Sequence, residues 1–435
     1  MSDDRQISVT ELNQWNPDEY ISVDLRDKKS YQQGHIPGAV HQSYDELMDE
    51  LDRIEEDVDE DSRQEELEYQ WQDLLGLAGW MPEMEDALMD NLLGGQTVQK
   101  IVFCCENGDV SEKIADIFGQ AGFAAYFLDG GYGAWLLVNL GNSSGQEEED
   151  TVTNEDIEKS IRKKFHKQLF SRFARAINEY DLVKEGDKIA VCISGGKDSM
   201  LMAKLFQELK RHNKFPFELV FLCMDPGYTE VNRQVIEMNA KKMEIPLTIF
   251  ESEIFDAVYD IKKSPCYLCA RMRRGHLYSK AKELGCNKIA LGHHYDDVIE
   301  TILMGMLYGG QVQTMMPKLH STNFEGMELI RPMYLIREDD IKHWRDYNKL
   351  YFLQCACRFT EENDFVQEDG TSPSKRLEVK ELIRDMKRVN PFVESNIFRS
   401  VENVNLSTVI AYKKNGVVHR FTDEYDTMTS GEEDE

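Results

Sequence analysis

A short glycine-containing segment is the first stretch of this sequence whose residues could do chemistry. SGGKDS (194–199) follows an apolar run and precedes a segment in which apolar residues recur at helical spacing. Its glycines let the backbone approach a phosphate closely, its serines offer hydroxyls, and its lysine offers a cation. The spacing differs from the GxxxxGK[ST] pattern of kinases and GTPases. The segment therefore predicts a phosphate-binding turn at the amino end of a helix.

A second group of polar residues, GHHYDD (292–297), contains two histidines and two neighbouring carboxylates. Asp296 and Asp297 offer the oxygen ligands that Mg²⁺ prefers, and an ion there would bridge phosphates. An acidic helix start would account for one aspartate but does not need the histidines. We therefore expect Asp296 and Asp297 to bind Mg²⁺.

Four of the nine cysteines fall into two close pairs, Cys266 with Cys269 in a CxxC motif and Cys355 with Cys357 in CAC. Two such pairs fit a zinc site, a redox dithiol or an iron–sulfur cluster, and spacing alone does not choose among these. We favour a metal of some kind, because paired cysteines are rarely accidental packing. Three others are expected to pack in strands or helices: Cys192, Cys223 and Cys286.

Cys105 lies where the apolar run IVFC (101–104) gives way to turn residues and then to helical spacing. A cysteine at a strand end, ahead of a helix amino terminus, is in an environment that favours a thiolate or an anionic persulfide. The alternative is a buried and inert cysteine. Cys105 is therefore a candidate nucleophile.

These groups must be positioned by strands that alternate with helical segments. Four apolar runs predict strands in the second part of the chain: KIAVCI (188–193), ELVFLCMD (218–225), PLTIFES (246–252) and NKIALGH (287–293). Strand and helix in alternation predict an α/β fold with a parallel sheet covered by helices on both faces. Ligands bind at the carboxyl ends of such strands, which is where the glycine turn lies.

Charge divides the chain into two parts. The formal net charge is −30; residues 1–150 contain 35 acidic and 8 basic residues, and residues 151–435 contain 45 and 42. The acidic insertion at 43–74 is interpreted as a solvated helix, with a docking surface for a basic partner as the alternative. A polyanionic partner therefore suits the second part alone. The predicted divisions are a first domain (1–140), a linker (141–158), a second domain (159–420) and a disordered acidic tail (421–435).

The chain shows neither a run of apolar residues long enough to span a bilayer nor an N-terminal signal pattern. Nine cysteines, an odd number with several in clusters, suit a reducing compartment better than a disulfide framework. We expect a cytoplasmic protein without a membrane partner.

The first domain resembles the rhodanese family. VDLRD (23–27), YQQGHIPGAVH (31–41), the loop begun by Cys105 and LDGGYGAW (128–135) occur in the family's order over about the first 140 residues. The resemblance implies a rhodanese-like α/β fold in which Cys105 carries a persulfide sulfur. A degenerate domain without catalysis stays an alternative.

The Cys105 loop departs from the pattern of thiosulfate-using rhodaneses. Val110 stands where those loops hold a basic residue, and Glu106 and Asp109 add negative charge. Such carboxylates would oppose thiolate formation and repel a small dianion. We therefore expect a protein persulfide, from a cysteine desulfurase-like partner, as the sulfur donor.

The second part resembles the tRNA 2-thiocytidine synthetase family, whose SGGKDS segment is the PP-loop of ATP pyrophosphatases. The resemblance covers about residues 159–358 and rests on six segments: SGGKDS, CxxCxRxRRGxLY, KIALGHHxDD, YGG (308–310), MMPKL (315–319) and IRPMYLIRE (330–338). It implies an adenine nucleotide α-hydrolase-like fold and ATP-dependent thiolation at C2 of a tRNA cytidine, with position 32 of the anticodon loop as the target. It also implies a [4Fe–4S] cluster, ATP and Mg²⁺ as cofactors, tRNA as a partner, and, as an open point, a homodimer.

Site residues follow from this resemblance. Those implied to contact ATP are Ser194, Gly195, Gly196, Lys197, Asp198, Ser199, Met224, Gly292 and His293. Those implied to hold the cluster are Cys266, Cys269 and Cys355, with Cys357 as the alternative third ligand. Those implied to bind tRNA are Arg271, Arg273, Arg274, Lys163 and Lys164. Cys105 and Asp297 are the implied catalytic residues.

In the mechanism we expect, the first domain swings over the linker to pass its sulfur to the second. Two other functions stay open. One is a PP-loop sulfurtransferase that acts on another tRNA nucleotide or on a small molecule. The other is an iron–sulfur sensor without catalysis, which the intact SGGKDS and HHYDD segments argue against. The region after residue 358 is left unassigned.

Overall fold

The computed structural model describes ten segments of the chain: residues 5–16, 19–33, 35–57, 100–120, 122–142, 152–212, 215–228, 230–252, 265–353 and 375–425. The chain divides into two compact units, the first made of Met1–Gly292 with Lys318–Asp364 and the second of His293–Pro317 with Phe365–Glu435. Within the described segments, no helix combines the length and apolar character needed to cross a bilayer.

The first unit begins with a five-stranded parallel sheet in the order β1-β5-β4-β2-β3. Its strands are β1 (Gln6–Ile7), β2 (Tyr20–Asp24), β3 (Val40–His41), β4 (Lys100–Cys104) and β5 (Ala125–Leu128). Its helices are α1 (Val9–Leu12), α2 (Lys28–Gln33), α3 (Tyr44–Asp57), α4 (Asp109–Gln120) and α5 (Gly131–Asn142). Residues of β4 alternate between two apolar clusters, because successive side chains of a strand point to opposite faces. A parallel sheet covered on both faces needs such continuous apolar strands.

The same unit contains a six-stranded sheet in the order β10-β11-β9-β6-β7-β8, parallel except for the β10–β11 pair. Its strands are β6 (Lys188–Ile193), β7 (Glu218–Asp225), β8 (Leu247–Glu251), β9 (Lys288–Ala290), β10 (Lys318–His320) and β11 (Glu328–Ile330). The helices of this part of the chain are α6 (Asn154–Arg162), α7 (Ser171–Glu179), α8 (Lys197–His212), α9 (Glu230–Lys242), α10 (Pro265–Glu283), α11 (Tyr295–Gly309) and α12 (Glu338–Tyr347), of which α11 lies in the second unit. A π-helical turn, His166–Phe170, precedes α7. The predicted α/β fold class is confirmed, and the two short strands β10 and β11 were not foreseen.

A buried ionic network attaches α6 to α8. The Lys204 ammonium, with 1% of its side chain exposed, donates hydrogen bonds to Glu158 (2.9 Å), Asn154 (2.8 Å) and the Met243 carbonyl (2.9 Å). Burial alone would raise the pKa of Glu158, but hydrogen bonds from Arg211 and Lys204 outweigh it and hold that pKa at about 2. This network makes residues 154–158 part of the helical layer, although the sequence analysis placed them in the linker.

The two sheets of the first unit are joined by helix packing. α5 lies along α9, and Trp135 and Leu136 belong to the same buried apolar cluster as Ile236 and Leu353. The Trp135 ring also meets Tyr351 edge-on, with 5.4 Å between ring centroids. The rhodanese-like portion (residues 5–142) and the portion around the second sheet thus share apolar core.

The second unit packs α11 against two later helices, α13 (Lys375–Val389) and α14 (Val393–Ser400). An antiparallel hairpin, β12 (Ala411–Lys414) with β13 (Val417–Arg420), follows. Asn415 and Gly416 both have positive φ, as a two-residue type I′ turn requires. A last helical turn, α15 (Phe421–Glu424), covers the start of the predicted disordered tail, whose residues 426–435 lie outside the described segments.

Candidate functional site

The segment SGGKDS forms a tight turn between β6 and α8, which we call the phosphate turn (residues 194–199). Gly195 has φ +84°, in the left-handed region that favours glycine, and a Cβ there would lie 2.5 Å from Ile236 Cγ1. α8 begins at Lys197, so the free N–H groups of its first turn face the end of the strand. A turn of this kind suits an anion.

Hydrogen bonds from Ser199 brace the phosphate turn. Its hydroxyl oxygen accepts from the Ser194 N–H (3.1 Å), and the hydroxyl donates to the Gly196 carbonyl (2.9 Å). The Ser194 hydroxyl lies 3.3 Å from the same oxygen. Ser199 therefore fixes the shape of the turn, whereas Ser194 is exposed.

The Lys197 ammonium is held between two carboxylates. It lies 3.1 Å from Asp198 Oδ2 and 3.5 Å from Glu338 Oε1, and 12% of the Lys197 side chain is exposed. Glu338 is the first residue of α12 and also pairs with Lys342 at 3.3 Å. Glu338 is the last residue of the IRPMYLIRE segment, but its role could not be predicted, since only the fold brings it to Lys197.

Two other predicted ATP residues of the first unit lie at strand ends. A Cβ on Gly292 would lie 3.4 Å from the Ser199 nitrogen, so the chain after β9 passes close to the phosphate turn. Met224 is buried near the end of β7, beside Asp225, whose carboxylate accepts hydrogen bonds from the N–H groups of Gly227 and Tyr228. Gly292 and Met224 thus both lie near carboxyl ends of strands in the sheet that holds the turn.

The predicted magnesium ligands lie at the start of α11 in the second unit. Asp297 accepts hydrogen bonds from the His294 N–H (3.0 Å) and from the Arg376 guanidinium (2.9 Å), and His294 Nδ1 lies 3.8 Å from Asp296. Burial would raise the pKa of Asp297, but nearby His294 and His293, the His294 N–H and Arg376 outweigh it and lower that pKa. Asp297 therefore caps its helix, as the alternative interpretation of one aspartate anticipated.

Arg376 and Glu300 were missed by the sequence analysis. Arg376 Nε lies 3.7 Å from Glu300 Oε2, and burial raises the pKa of Glu300 to about 7, against the opposing charge of Arg376. Arg376 comes from α13, in the region that the sequence left unassigned. Across the described segments no group of three or more His, Cys, Asp or Glu side chains could hold a metal ion. Because a guanidinium already occupies Asp297, the observed arrangement does not fit Mg²⁺ at this carboxylate.

Cys105 occupies the loop between β4 and α4. Its Sγ accepts a hydrogen bond from the Gly108 N–H (3.1 Å) and lies 3.3 Å from the Ser111 hydroxyl, while 3% of the residue is exposed. The Gly108 N–H, together with the start of α4, stabilises negative charge on sulfur, whereas the Ser111 hydroxyl donates to the Gly108 carbonyl (2.9 Å). Neighbouring Cys104 is fully buried, and burial raises the pKa of its thiol well above the usual value.

One acidic residue of this loop, Glu106, is paired with Arg26. Arg26 makes two hydrogen bonds to Asp24 (2.9 and 2.6 Å), lies 3.2 Å from Glu106, and stacks on Tyr132 at 3.8 Å from the ring centroid. Burial raises the pKa of Glu106 despite this pairing. Burial thus opposes the charge that we expected on Glu106, and the nearby Arg26 guanidinium offsets what remains of it. Arg26 belongs to the VDLRD segment, and this role was not predicted.

The predicted cluster ligands are described only in part. Cys266 and Cys269 lie in the first turns of α10, three residues apart in the chain. Two thiols at that spacing fit a metal or cluster, whereas the side chains of both, and all of Cys355 and Cys357, lie outside what the structure describes. The three other cysteines outside the first sheet are buried, and burial raises the pKa of each thiol: Cys192, Cys223 and Cys286.

The predicted tRNA-binding residues lie on α10 and in the turn that follows α6. Arg273 and Arg274 belong to α10, where Arg274 is exposed, and the side chain of Arg271 lies outside the described part. Lys163 follows the end of α6 and is exposed, and the Lys164 ammonium lies 3.5 Å from the centroid of the Tyr347 ring. Both segments supply cations suited to phosphates. In the part of the chain that the structure describes, no contact joins the arginines of α10 to Lys163 or Lys164.

Comparison with known proteins agrees with both resemblances. A rhodanese-like domain matches residues 8–137, and a PP-loop domain matches residues 163–357. The tRNA-cytidine(32) 2-sulfurtransferase of Citrifermentans bemidjiense is 33% identical over 242 residues, which are 55% of this chain and 91% of that protein. The enzyme of the same name from Paraburkholderia xenovorans is 34% identical over 258 residues, 57% of this chain and 72% of that protein.

Among solved structures, the U34-tRNA thiolase NcsA from Methanococcus maripaludis, with its [4Fe–4S] cluster, is similar at a TM-score of 0.42 and 22% identity. The similarity covers 54% of this chain and 78% of that one, and it is too distant to carry an argument. The sequence relatives are closer. On their evidence, this chain belongs to the tRNA-cytidine(32) 2-sulfurtransferase family, with a rhodanese-like domain ahead of its PP-loop domain.

Proposed function

We propose that this chain is an ATP-dependent sulfurtransferase that converts a tRNA cytidine, at position 32 of the anticodon loop, into 2-thiocytidine. The observation that carries the proposal is the braced phosphate turn, with Lys197 at the amino end of α8, in a chain of this family. The turn suits ATP phosphates, because its backbone N–H groups and its lysine face the same end of the strand.

In this reaction the C2 oxygen of cytidine attacks the α-phosphorus of ATP, and pyrophosphate leaves. The phosphate turn holds the departing phosphates, and Lys197 offsets the charge that develops on them. Sulfur, brought to the level of sulfide by two electrons from a thiol reductant, then attacks C2, and AMP leaves with the former cytidine oxygen. Glu338 keeps the Lys197 ammonium in place through their 3.5 Å contact. The contributions of Met224, Gly292 and His293 to ATP binding stay predictions, as does a catalytic role for Asp297.

Sulfur delivery uses cysteines in both domains. We propose that Cys266, Cys269 and Cys355 hold a [4Fe–4S] cluster, which when bound supplies an iron that takes up the sulfur. The CxxC spacing of Cys266 and Cys269 supports this assignment. Cys105 carries the incoming sulfane sulfur, and the Gly108 N–H stabilises its anionic form.

The partners follow from the same chemistry. Arg271, Arg273, Arg274, Lys163 and Lys164 are proposed to contact tRNA phosphates. A cysteine desulfurase-like protein is the proposed donor to Cys105, and Mg²⁺ accompanies ATP without a site assigned on this chain. A cytoplasmic location and a homodimer stay predictions.

The test is an anaerobic assay of the protein with its cluster reconstituted, supplied with ATP, Mg²⁺, a persulfide donor and unmodified tRNA. Mass spectrometry of the digested RNA should detect 2-thiocytidine with wild-type protein. Product should be lost with Lys197→Ala or Cys266→Ser, and should fall with Cys105→Ser when sulfur is limiting. Lys184→Ala, an exposed lysine paired with Asp181, is the matched control.

A second outcome would redirect the proposal. If wild-type protein with an intact cluster binds ATP but leaves cytidine unmodified, the target is another tRNA nucleotide or a small molecule. If it neither binds nor hydrolyses ATP, the adenylation chemistry itself is wrong.

A further inference from the structure

The contact between α5 and α9 depends on a glycine. Gly133 lies near the start of α5, where a Cβ would stand 2.8 Å from Val231 Cγ1. Val231 is the second residue of α9. Real Cβ atoms do not approach other atoms so closely, so a side chain at position 133 would require a shift of the Val231 side chain or of the two helices. Gly133 and Val231 therefore fix how closely the rhodanese-like portion approaches the PP-loop portion.

The same glycine is hydrogen-bonded to the Cys105 loop. The Gly133 N–H donates to the Glu106 carbonyl (3.2 Å), and the Tyr132 N–H donates to the Cys105 carbonyl (2.8 Å). These bonds attach the start of α5 to the loop that holds the sulfur-carrying cysteine. The position of α5 on α9 therefore sets the position of Cys105 on the PP-loop portion.

α9 also reaches the phosphate turn. Ile236 approaches Gly195 closely, as described above, and lies five residues beyond Val231, or about 7.5 Å along the helix axis. A second connection runs through residues 351–353. Tyr351 contacts Trp135, and Leu353 Cδ1 would lie 3.6 Å from a Cβ on Gly195. Two separate elements thus connect the Cys105 side of the first unit with the phosphate turn.

We propose that Gly133 and Val231 are positioning residues, which hold the rhodanese-like portion docked on the PP-loop portion while Cys105 delivers its sulfur within the same chain. This inference rests on the proposed function. A thiolate of the PP-loop portion that is not a cluster ligand attacks the outer sulfur of the Cys105 persulfide, and a new S–S bond forms as the old one breaks. The electron pair of the broken bond stays on Cys105 as its thiolate, so this transfer step itself needs no external oxidant or reductant.

The first test separates docking from helix stability. Alanine is a better helix former than glycine, so Gly133→Ala would stabilise α5 in isolation. On the docked helix the added methyl meets Val231, and we expect hydrogen exchange of backbone amides in α5 and at the start of α9 to rise about tenfold. Adding Val231→Ala removes the clashing methyl and should restore slow exchange. Gly309→Ala is the control, because nothing lies within 4 Å of a Cβ at that position.

The second test asks whether delivery stays within one chain. Cys105→Ser and Lys197→Ala proteins are mixed under limiting persulfide, and 2-thiocytidine is measured. Docked delivery predicts no more product from the mixture than from the two variants measured separately. Gly133→Ala should lower single-turnover sulfur delivery about tenfold, and the double variant should recover it.

The outcomes distinguish this inference from the proposed function. Unchanged exchange in Gly133→Ala, or a double variant that fails to restore it, would overturn the docking argument whatever the activity. Product from the mixture approaching half the wild-type amount would show delivery between chains and overturn delivery within one chain. If wild-type protein makes no 2-thiocytidine, the proposed function fails, whereas the exchange measurements still decide whether Gly133 and Val231 fix the contact.

Discussion

Glu300 should make the second unit less stable as the pH rises. Its carboxyl group has a pKa raised to about 7 by burial, against an ordinary value of 4.5. An acid with a raised pKa is protonated in the folded state at a pH where the unfolded chain has already ionised. Its favourable contribution is complete below about pH 4.5 and is lost as the pH rises through about 7.

Glu300→Gln should remove this dependence, because glutamine resembles the protonated acid in shape. With 1.36 kcal/mol for each pKa unit, the variant should be more stable than wild type by about 1 kcal/mol near pH 5, about 2 near pH 6 and about 3 near pH 8. Arg376 lies beside position 300 in both proteins, and its guanidinium can donate to the oxygen of either a glutamate or a glutamine side chain.

Native-state hydrogen exchange of α11 and α13 amides measures the local free energy of opening where Glu300 lies. Rates corrected for intrinsic exchange would be compared between wild type and Glu300→Gln across that pH range. Asp385→Asn, on the exposed side of α13, is the matched control and should change the opening free energy by less than about 0.5 kcal/mol. A difference that stays flat with pH, or a variant less stable than wild type near pH 8, would refute the reasoning.

Three further perturbations address the ionic network, the phosphate turn and the Cys105 loop. Because the pKa of Glu158 is lowered, its contribution to folding stability is present above about pH 4.5 and is lost as the pH falls toward 2. Glu158→Gln should therefore lower the free energy of unfolding by about 3 kcal/mol at neutral pH, measured by denaturant titration. Equal denaturation midpoints for the two proteins would contradict this. Ser199→Ala removes both hydrogen bonds that brace the phosphate turn, so ATP affinity measured by calorimetry should fall about tenfold. Ser407→Ala, at an exposed position, is the control. Unchanged ATP affinity would mean that the turn keeps its shape without these hydrogen bonds. Arg26→Lys loses the paired hydrogen bonds to Asp24 and the stacking on Tyr132, and should destabilise the rhodanese-like portion by about 2 kcal/mol in thermal unfolding, which a melting temperature equal to that of wild type would disprove.

The strands of both sheets could be predicted because their signal is local. β6 and β7 are buried on both faces, so KIAVCI and most of ELVFLCMD are continuous apolar runs in the sequence itself. The phosphate turn could be predicted for the same reason, because its residues are consecutive in the sequence. The start of α6 was also legible in principle, because Thr153 and Asp156 form a capping box, but acidic composition upstream led to its assignment as linker.

The parts that escaped prediction depend on pairs that are distant in sequence. Arg376 meets Asp297, and Glu338 meets Lys197, through contacts that no periodicity records. Gly133 looked like one glycine of a family segment, and its close approach to Val231 exists only once two domains have packed together. Such contacts follow from tertiary structure and leave no trace in local patterns.

The apolar packing between α5 and α9 bears on how fragments of this protein would behave. Cutting the chain near residue 150 would uncover Trp135 and Leu136 on one fragment and Ile236 and Leu353 on the other, since all four now share one buried cluster. Each fragment would expose an apolar surface to solvent and tend to aggregate or to reassociate with the other fragment. A loss of tRNA binding or of sulfur transfer after truncation would then report poor solubility. Coexpression of the two fragments is the practical remedy, because the exposed faces can cover one another again.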